Sequence, residues 1–318
     1  MRHTRRAGDL REGLAMPSIL PSPDEYAELA PTPGSPVWRA FNDVRLLNTS
    51  GFATLLQVAH PTVGHGVHQY SSFVKDPWGR LLRTLDYVHG TIYGGPELAG
   101  EIGARVRNMH KTIKGTKSDG SRYSAMEPDA FAWVHATLAH SVFEGWRLFA
   151  TPMSDYEKEA FWSEWMGVGR LIGVRYRDLP ETAAGFEEYF ESVIDDELEW
   201  TPAIPEVLDT LGGSPPPNVP GMRPGLWRVL RAPMGYQLRV ATVGLLPERL
   251  RRRLELPFSA RERRVFKGMA ATSRAAGPAI RGPLAQFGPH YVRWRHEALA
   301  RGDVAATGSA PAAKPVAV

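Results

Sequence analysis

The sequence contains no cysteine. Disulfides, thiolate nucleophiles, zinc fingers, iron–sulfur clusters and thiolate-ligated haem are therefore excluded. No apolar run approaches the roughly 18 residues of a membrane span, so no spanning helix is predicted. The glycines form neither a phosphate loop nor a dinucleotide fingerprint, which removes support for nucleotide-dependent chemistry. A di-iron carboxylate bundle needs Glu-x-x-His on two helices, and the sequence has no such pair. A zinc protease needs His-Glu-x-x-His, and His296-Glu297 lacks the second histidine. Near the start, Arg5-Arg6 is followed by the charged run Ala7-Gly8-Asp9-Leu10-Arg11-Glu12 instead of an apolar segment. An export signal is not expected there, and the expected location is cytoplasmic.

What is present is a chain of 318 residues with ten histidines and nine tryptophans. Histidine is the strong metal ligand left. His60, His65 and His68 cluster together, and His135 and His140 share one predicted helix. His65 and His68, at i,i+3, are placed to face a common metal only if their segment is helical, and Gly64 and Gly66 weigh against that. The tryptophans suit either packing around a flat cofactor or large helix–helix contacts. Charge is unevenly spread. Residues 181–220 hold ten Asp or Glu and no Lys or Arg, whereas residues 221–300 hold sixteen Lys or Arg against four Glu. The two blocks either pack against each other or leave a basic C-terminal third to meet an acidic membrane surface. No nucleic-acid motif accompanies the charge, so nucleic acid is not an expected partner.

The punctuation is helical throughout. Residues 45–58 read as a buried helix ended by His60-Pro61, because the residue before proline resists the α region. Pro77 opens a helix that Gly94-Gly95-Pro96 closes, and the next runs to Gly115 with Leu98, Ile102, Val106, Met109 and Ile113 at helical spacing. Residues 114–122 read as a polar loop. Pro128 starts a long helix. Ser154 to Glu157 and Ser259 to Glu262 are capping boxes that open two more. Residues 181–198 form an acidic amphipathic helix, residues 201–223 are Pro-rich and irregular, residues 225–243 are helical, and a short basic helix follows Pro247. No strand pair is predicted. The expected fold is all-α: an extension over residues 1–30, one large helical domain over 31–302, and an Ala/Pro/Gly-rich disordered tail over 303–318.

One stretch carries candidate chemistry. Asp76-Pro77 reads as an N-cap and first helical residue. The helix places Arg80, Thr84 and Tyr87 on one face. His110 lies near the end of the following helix. These features fit an ordinary Asp76–Arg80 ion pair and a helix-end histidine. They also fit a cofactor held by one imidazole, for which haem is suited. Spacing alone does not choose His110 over His135 or His60 as ligand.

Six stretches together resemble the haem-b oxygenase family of the rubber-cleaving latex-clearing protein and the fungal mycophenolic-acid pathway (MpaB-type) oxygenase. They are Leu55-Leu56-Gln57-Val58-Ala59-His60-Pro61 with Gly66-Val67; Ser72-Phe73 with Asp76-Pro77-Trp78-Gly79-Arg80 and Thr84; Gly94 after an aromatic; Val106 to His110 with Ile113-Lys114-Gly115; Tyr123-Ser124-Ala125-Met126-Glu127-Pro128 leading to Trp133-Val134-His135-Ala136-Thr137; and Gly244-Leu245-Leu246-Pro247 with Arg251. The resemblance implies an all-helical domain enclosing haem b, with His110 as the proximal iron ligand. Arg80 and Thr84 match the polar distal residues. His60 and His135 match recurrent family positions. On residues alone, His60 caps a helix end and His135 sits in an apolar stripe as a satisfied core histidine.

The chain departs from the rubber oxygenases in one telling place. They have a lysine where this chain has Arg83. A neutral lysine amine can ligate iron, whereas a guanidinium stays protonated and offers no lone pair. The expectation is a haem-dependent oxygenase, an oxidoreductase that uses dioxygen on an apolar small molecule. Arg80 and Thr84 are its catalytic candidates, and His110, Arg83, His135 and His60 are cofactor-binding candidates. The alternatives are a non-catalytic haem-binding or gas-sensing protein, or a membrane-surface scaffold using the basic C-terminal third.

Overall fold

Proline opens seven of the helices, because the first N–H groups of a helix need no intrahelical partner and proline's fixed φ is helical. The computed structural model describes residues 20–70, 77–213 and 224–301. Within them the chain order is α1 (Pro23–Leu29), α2 (Pro36–Ala40), a 3-10 turn (Val44–Thr49), α3 (Ser50–Ala59), α4 (Pro61–Tyr70), α5 (Pro77–Tyr93), α6 (Pro96–His110), β1 (Lys114–Thr116), β2 (Arg122–Ser124), α7 (Pro128–Phe149), α8 (Asp155–Ile172), α9 (Ala183–Asp196), α10 (Ala203–Gly213), α11 (Pro224–Leu245), α12 (Glu248–Arg253), α13 (Ala260–Ala275) and α14 (Phe287–Ala300). The fold is all-α, apart from one antiparallel hairpin of three residues a strand. Both predicted capping boxes form. Ser154 and Ser259 accept from the N–H of Glu157 and Glu262, and each glutamate reaches back to its serine.

The long helix α7 is the hub. Its Trp133 Nε1–H donates to the Leu56 carbonyl on α3 at 3.0 Å, and Gln57 of α3 donates to the Thr137 hydroxyl at 3.0 Å. Toward α8 and α9 it meets stacked aromatics, with Trp133 on Phe190 at 4.8 Å and Trp162 on Phe186 at 4.1 Å. These four rings are fully buried. Burial of such rings supplies most of the driving force here, at about 25 cal/mol per Å² of apolar surface. At the other side, α14 clasps α5. Arg295 pairs with both Asp86 oxygens at 2.7 Å, and the Tyr291 hydroxyl donates to the same carboxylate at 2.7 Å.

The acidic and basic blocks pack against each other. Arg249 of α12 pairs with Glu191 and with Asp195 (2.5 Å) on α9, and Arg253 donates to the Ile194 carbonyl at 2.6 Å. Five elements differ from expectation. The polar loop after α6 is the hairpin, whose turn uses Gly120 at φ +85°. α6 itself ends at His110. Residues 61–70 are helical despite two glycines, because a side chain at Gly64 would collide with the Val58 carbonyl and the Thr201 hydroxyl. Residues 203–213 are helical because Pro205 falls in the first turn, where no N–H is missed. α1, placed in the N-terminal extension, packs Tyr26 and Leu29 against Ala99 and Leu171. Among the described residues no helix is long and apolar enough to cross a membrane. Asp76, and with it the Asp76–Arg80 pair, lies outside the described residues, as do Ser72-Phe73 and the terminal segments.

Candidate active site

A cavity of about 250 Å³ opens between α3, α5, α7, α10, α11 and α14. Its wall is apolar for the most part, with Leu85, Val88, Leu138, Val142, Trp227 and Leu238 among the lining residues. The polar side chains on it include Arg80, Thr84 and His89 from α5, Gln57 and Thr54 from α3, Asp43 before the 3-10 turn, Ser141 from α7 and Arg231 from α11. An apolar chamber with a few placed polar groups is the usual form of a small-molecule site.

α5 carries the buried cation of this wall. Arg80, Thr84 and Val88 recur every four residues and so share one stripe. Thr84 Oγ1 donates to the Arg80 carbonyl at 3.1 Å, so its hydroxyl is tied back to its own helix. Burial, with Arg83 nearby, pulls the Arg80 guanidinium down to about 10, still protonated at neutral pH. A fixed cation in a largely apolar chamber is a strong electrostatic feature, because few dipoles screen it. Arg83 is half-buried one turn on and outside the cavity wall. Tyr87, expected on the same face, packs against the core and does not line the cavity.

His110 ends α6 close enough to α5 for the Arg80 charge to reach it, and it does not line the cavity. Its Nδ1 lies 2.7 Å from the Val106 carbonyl, which can only accept, so Nδ1 carries the proton. Nε2 then holds a lone pair, and no hydrogen bond among the described residues reaches it. Burial lowers the imidazole pKa against the opposing pull of the Val106 bond, and the Arg80 charge lowers it further. The ring is thus neutral, oriented, and edge-on to Phe131 at 5.2 Å. A neutral imidazole fixed through one nitrogen and open at the other is the donor that an axial iron ligand requires.

The other histidines sit elsewhere. His135 is fully buried, stacks on Trp165 at 4.4 Å and 2°, and bonds the Trp165 carbonyl through Nε2 at 2.9 Å. That nitrogen is spent on the core, and His135 does not line the cavity. His60 caps α3, as its position before Pro61 predicts, and its N–H donates to the Gln57 carbonyl. Its ring lies 3.5 Å from Glu197, and burial pushes its pKa down to about 4, so the contact is not an ion pair at neutral pH. His65 uses both nitrogens, on the Pro61 carbonyl and the Ser118 N–H. His68 bonds Glu206 at 2.6 Å. Among the described residues no three His, Asp or Glu side chains gather as a metal site. Arg251 donates to the Leu246 carbonyl at 2.5 Å, which caps α11.

Sequence reasoning passed over His89, Gln57, Trp227 and Arg231 as cavity residues. The signal for His89 was available: the α5 stripe Leu81, Leu85, Val88 extends to it at helical spacing.

The family described as ER-bound oxygenase mpaB/B'/rubber oxygenase, catalytic domain, matches residues 38–275. The match takes in α3 to α13, including Arg80, Thr84 and His110. This chain belongs to that family. Its membership supports an oxygenase-type enzyme acting on a small molecule. Among curated proteins, the uncharacterized proteins Mb2261 of Mycobacterium bovis and Rv2237 of Mycobacterium tuberculosis are each 25% identical over 230 residues, covering 71% of this chain and 86% of theirs. No solved structure matches the chain.

Proposed function

We propose that this oxygenase-family protein is haem-dependent, with His110 as the axial ligand and with dioxygen and an apolar small molecule as substrates. The observation that carries the reading is His110 itself: Nδ1–H held by Val106, Nε2 open, ring neutral, and a guanidinium close enough to lower its pKa. His65 has both ring nitrogens engaged, the His60 ring faces the Glu197 carboxylate, and the His135 ring is stacked flat on Trp165 in the core. Haem b supplies dioxygen activation when bound. The protein's own groups do the rest. His110 fixes the cofactor. Arg80 presents charged N–H donors toward the chamber, where negative charge is stabilised most in an apolar setting. Thr84 keeps its hydroxyl on the Arg80 carbonyl and so holds the chamber face of α5 in register. Arg83 adds positive charge beside Arg80 that suits acidic groups on a cofactor, and it cannot close an iron as a neutral amine does. The apolar wall excludes water and selects an apolar substrate.

The test is haem binding by the purified protein. His110→Ala loses the Soret band or retains haem only weakly. Arg80→Leu keeps haem and slows dioxygen consumption by roughly tenfold or more, the scale of a lost charge-stabilising donor. Normal haem binding in His110→Ala, together with loss in His60→Ala or His135→Ala, overturns the assignment.

A second feature belongs to the same reading. The start of α11 exposes Leu226 and Val229 beside Arg228 and Arg231, while Trp227 and Arg231 line the cavity. Apolar side chains interleaved with arginine suit contact with an anionic membrane face, such as the cytoplasmic leaflet, from which an apolar substrate is drawn. Co-sedimentation with phosphatidylserine vesicles, absent with phosphatidylcholine and reduced by Val229→Glu, is the expected result. Equal binding to both lipids, or none, removes the reading.

A further inference from the structure

The cavity has a second polar end. His89 lies nine residues beyond Arg80 on α5, about 13 Å along the helix axis. It is 5% exposed and lines the chamber. Its Nδ1 is buried without a hydrogen-bond partner, and no bond among the described residues reaches either ring nitrogen. His65, His110 and His135 each engage at least one. A buried polar atom left unpaired costs roughly 1–3 kcal/mol, and native proteins rarely leave one so.

The His89 ring is instead held by stacking. Tyr93 lies 5.7 Å away, Phe287 5.3 Å and Tyr291 5.4 Å, ring centre to ring centre. Two of the three come from α14. That helix is locked onto α5 by Arg295 and Tyr291 through Asp86, and it lies beyond residues 38–275 that the family model matches. Phe287 also lines the chamber. A helix that closes one end of the chamber, away from Arg80, is placed to set selectivity and leave the reaction untouched. Burial holds the His89 imidazole neutral, with its pKa down to about 4. A neutral imidazole both donates and accepts, so it pairs with a hydroxyl or a carbonyl.

We infer that His89 is the recognition subsite for a hydroxyl or carbonyl at the far end of a rod-shaped apolar ligand, and that Phe287 sets the ligand length the chamber accepts. The inference rests on the cavity being the substrate chamber, and it does not depend on which residue holds haem. The probes are primary alcohols and alkyl chlorides of matched chain length, from hexyl to tetradecyl. Binding is read by quenching of Trp227 in the chamber wall, with Trp227→Phe as the control. The wild type prefers each alcohol over its chloride by roughly fivefold, the worth of one hydrogen bond. His89→Phe keeps the stacking, retains chloride affinity and loses the preference. His89→Gln retains part of it. Phe287→Ala moves the best chain length upward. Equal binding of alcohols and chlorides by the wild type, or a preference that survives His89→Phe, overturns the subsite and leaves the chamber standing. An unchanged optimum in Phe287→Ala overturns the length rule. Failure of both series to bind overturns the chamber and the subsite together. If circular dichroism shows His89→Phe unfolded, His89→Gln and Phe287→Ala still decide the question.

Discussion

The two sides of α7 are built on opposite rules. Toward α8 and α9 the helix meets a solid aromatic wall. Trp165 stacks on both His135 and Phe41, and a β-carbon at Gly169 would come within 2.8 Å of His135 Nε2. Nothing there has room to move. Toward α5 and α11 the same helix presents Leu138, Ser141 and Val142 to open space. The sealed side holds the fold at near-crystalline density, which lets the other side stay hollow without collapse. The contrast also settles what the tryptophans do. Among the described residues Trp227 is the tryptophan that lines the cavity, whereas Trp133, Trp162 and Trp165 are fully buried packing.

The largest test of that contrast is a pair of truncations. Trp165→Ala should cost about 3–5 kcal/mol in urea denaturation, because the void is walled by aromatics that cannot close over it. Leu138→Ala merely enlarges an existing space and should cost less than about 2 kcal/mol. Similar losses from both would mean that the hollow side carries as much of the stability as the sealed side.

A smaller effect is read in acid. Burial pushes His135 down to about 3, and His60 and His89 to about 4, with desolvation the leading cause in each. Between those values and the ordinary histidine pKa of about 6.5, the unfolded chain binds protons that the native state refuses. Stability therefore falls as pH drops through that window and levels off below it. Thermal melts from pH 7 to pH 4 should show this decline. His135→Gln, which keeps a hydrogen-bonding group near the Trp165 carbonyl, should flatten it. An unchanged slope would place the acid sensitivity on His60, His89 or His140, the last also pushed down to about 4 by burial.

The smallest effect belongs to the surface. Arg249 joins the acidic and basic blocks, but it and its partners are about half exposed. Arg249→Ala should cost less than about 1 kcal/mol, shrinking further in high salt. A larger loss would make the charge asymmetry a structural device on a par with the aromatic wall.

Much of this architecture was legible because its signals are local. Prolines and capping serines mark where α5, α6, α7, α8 and α13 begin, and those starts need no tertiary information. Arg80, Thr84 and His110 were singled out by their order along the chain; Arg80 and Thr84 line the cavity, whereas His110 feels the Arg80 charge from off the cavity wall. The helicity of residues 61–70 was hidden, since two glycines read as breakers until the Val58 carbonyl and Thr201 come close enough to require Gly64. α14 was hidden too, because what recruits it is a contact more than 200 residues away in sequence, Arg295 to Asp86. His60 and His135 show the converse: the His60 backbone caps a helix end while its ring faces Glu197, and the His135 ring is spent on a core stack.

α11 contains Pro233 in its interior, one turn after Val229. Proline has no N–H to give the Val229 carbonyl, so the helix is two rods joined at a joint that bends cheaply. The later rod is anchored by buried Val240, Ala241 and Val243, while the earlier one bears Trp227 and Arg231 against the chamber and exposes much of its other surface. The chamber thus has one compliant wall among stiff ones. Its capacity is a breathing quantity, in which the amides before Pro233 exchange with solvent deuterium faster than those after it, and an occupant that braces the first rod slows that exchange.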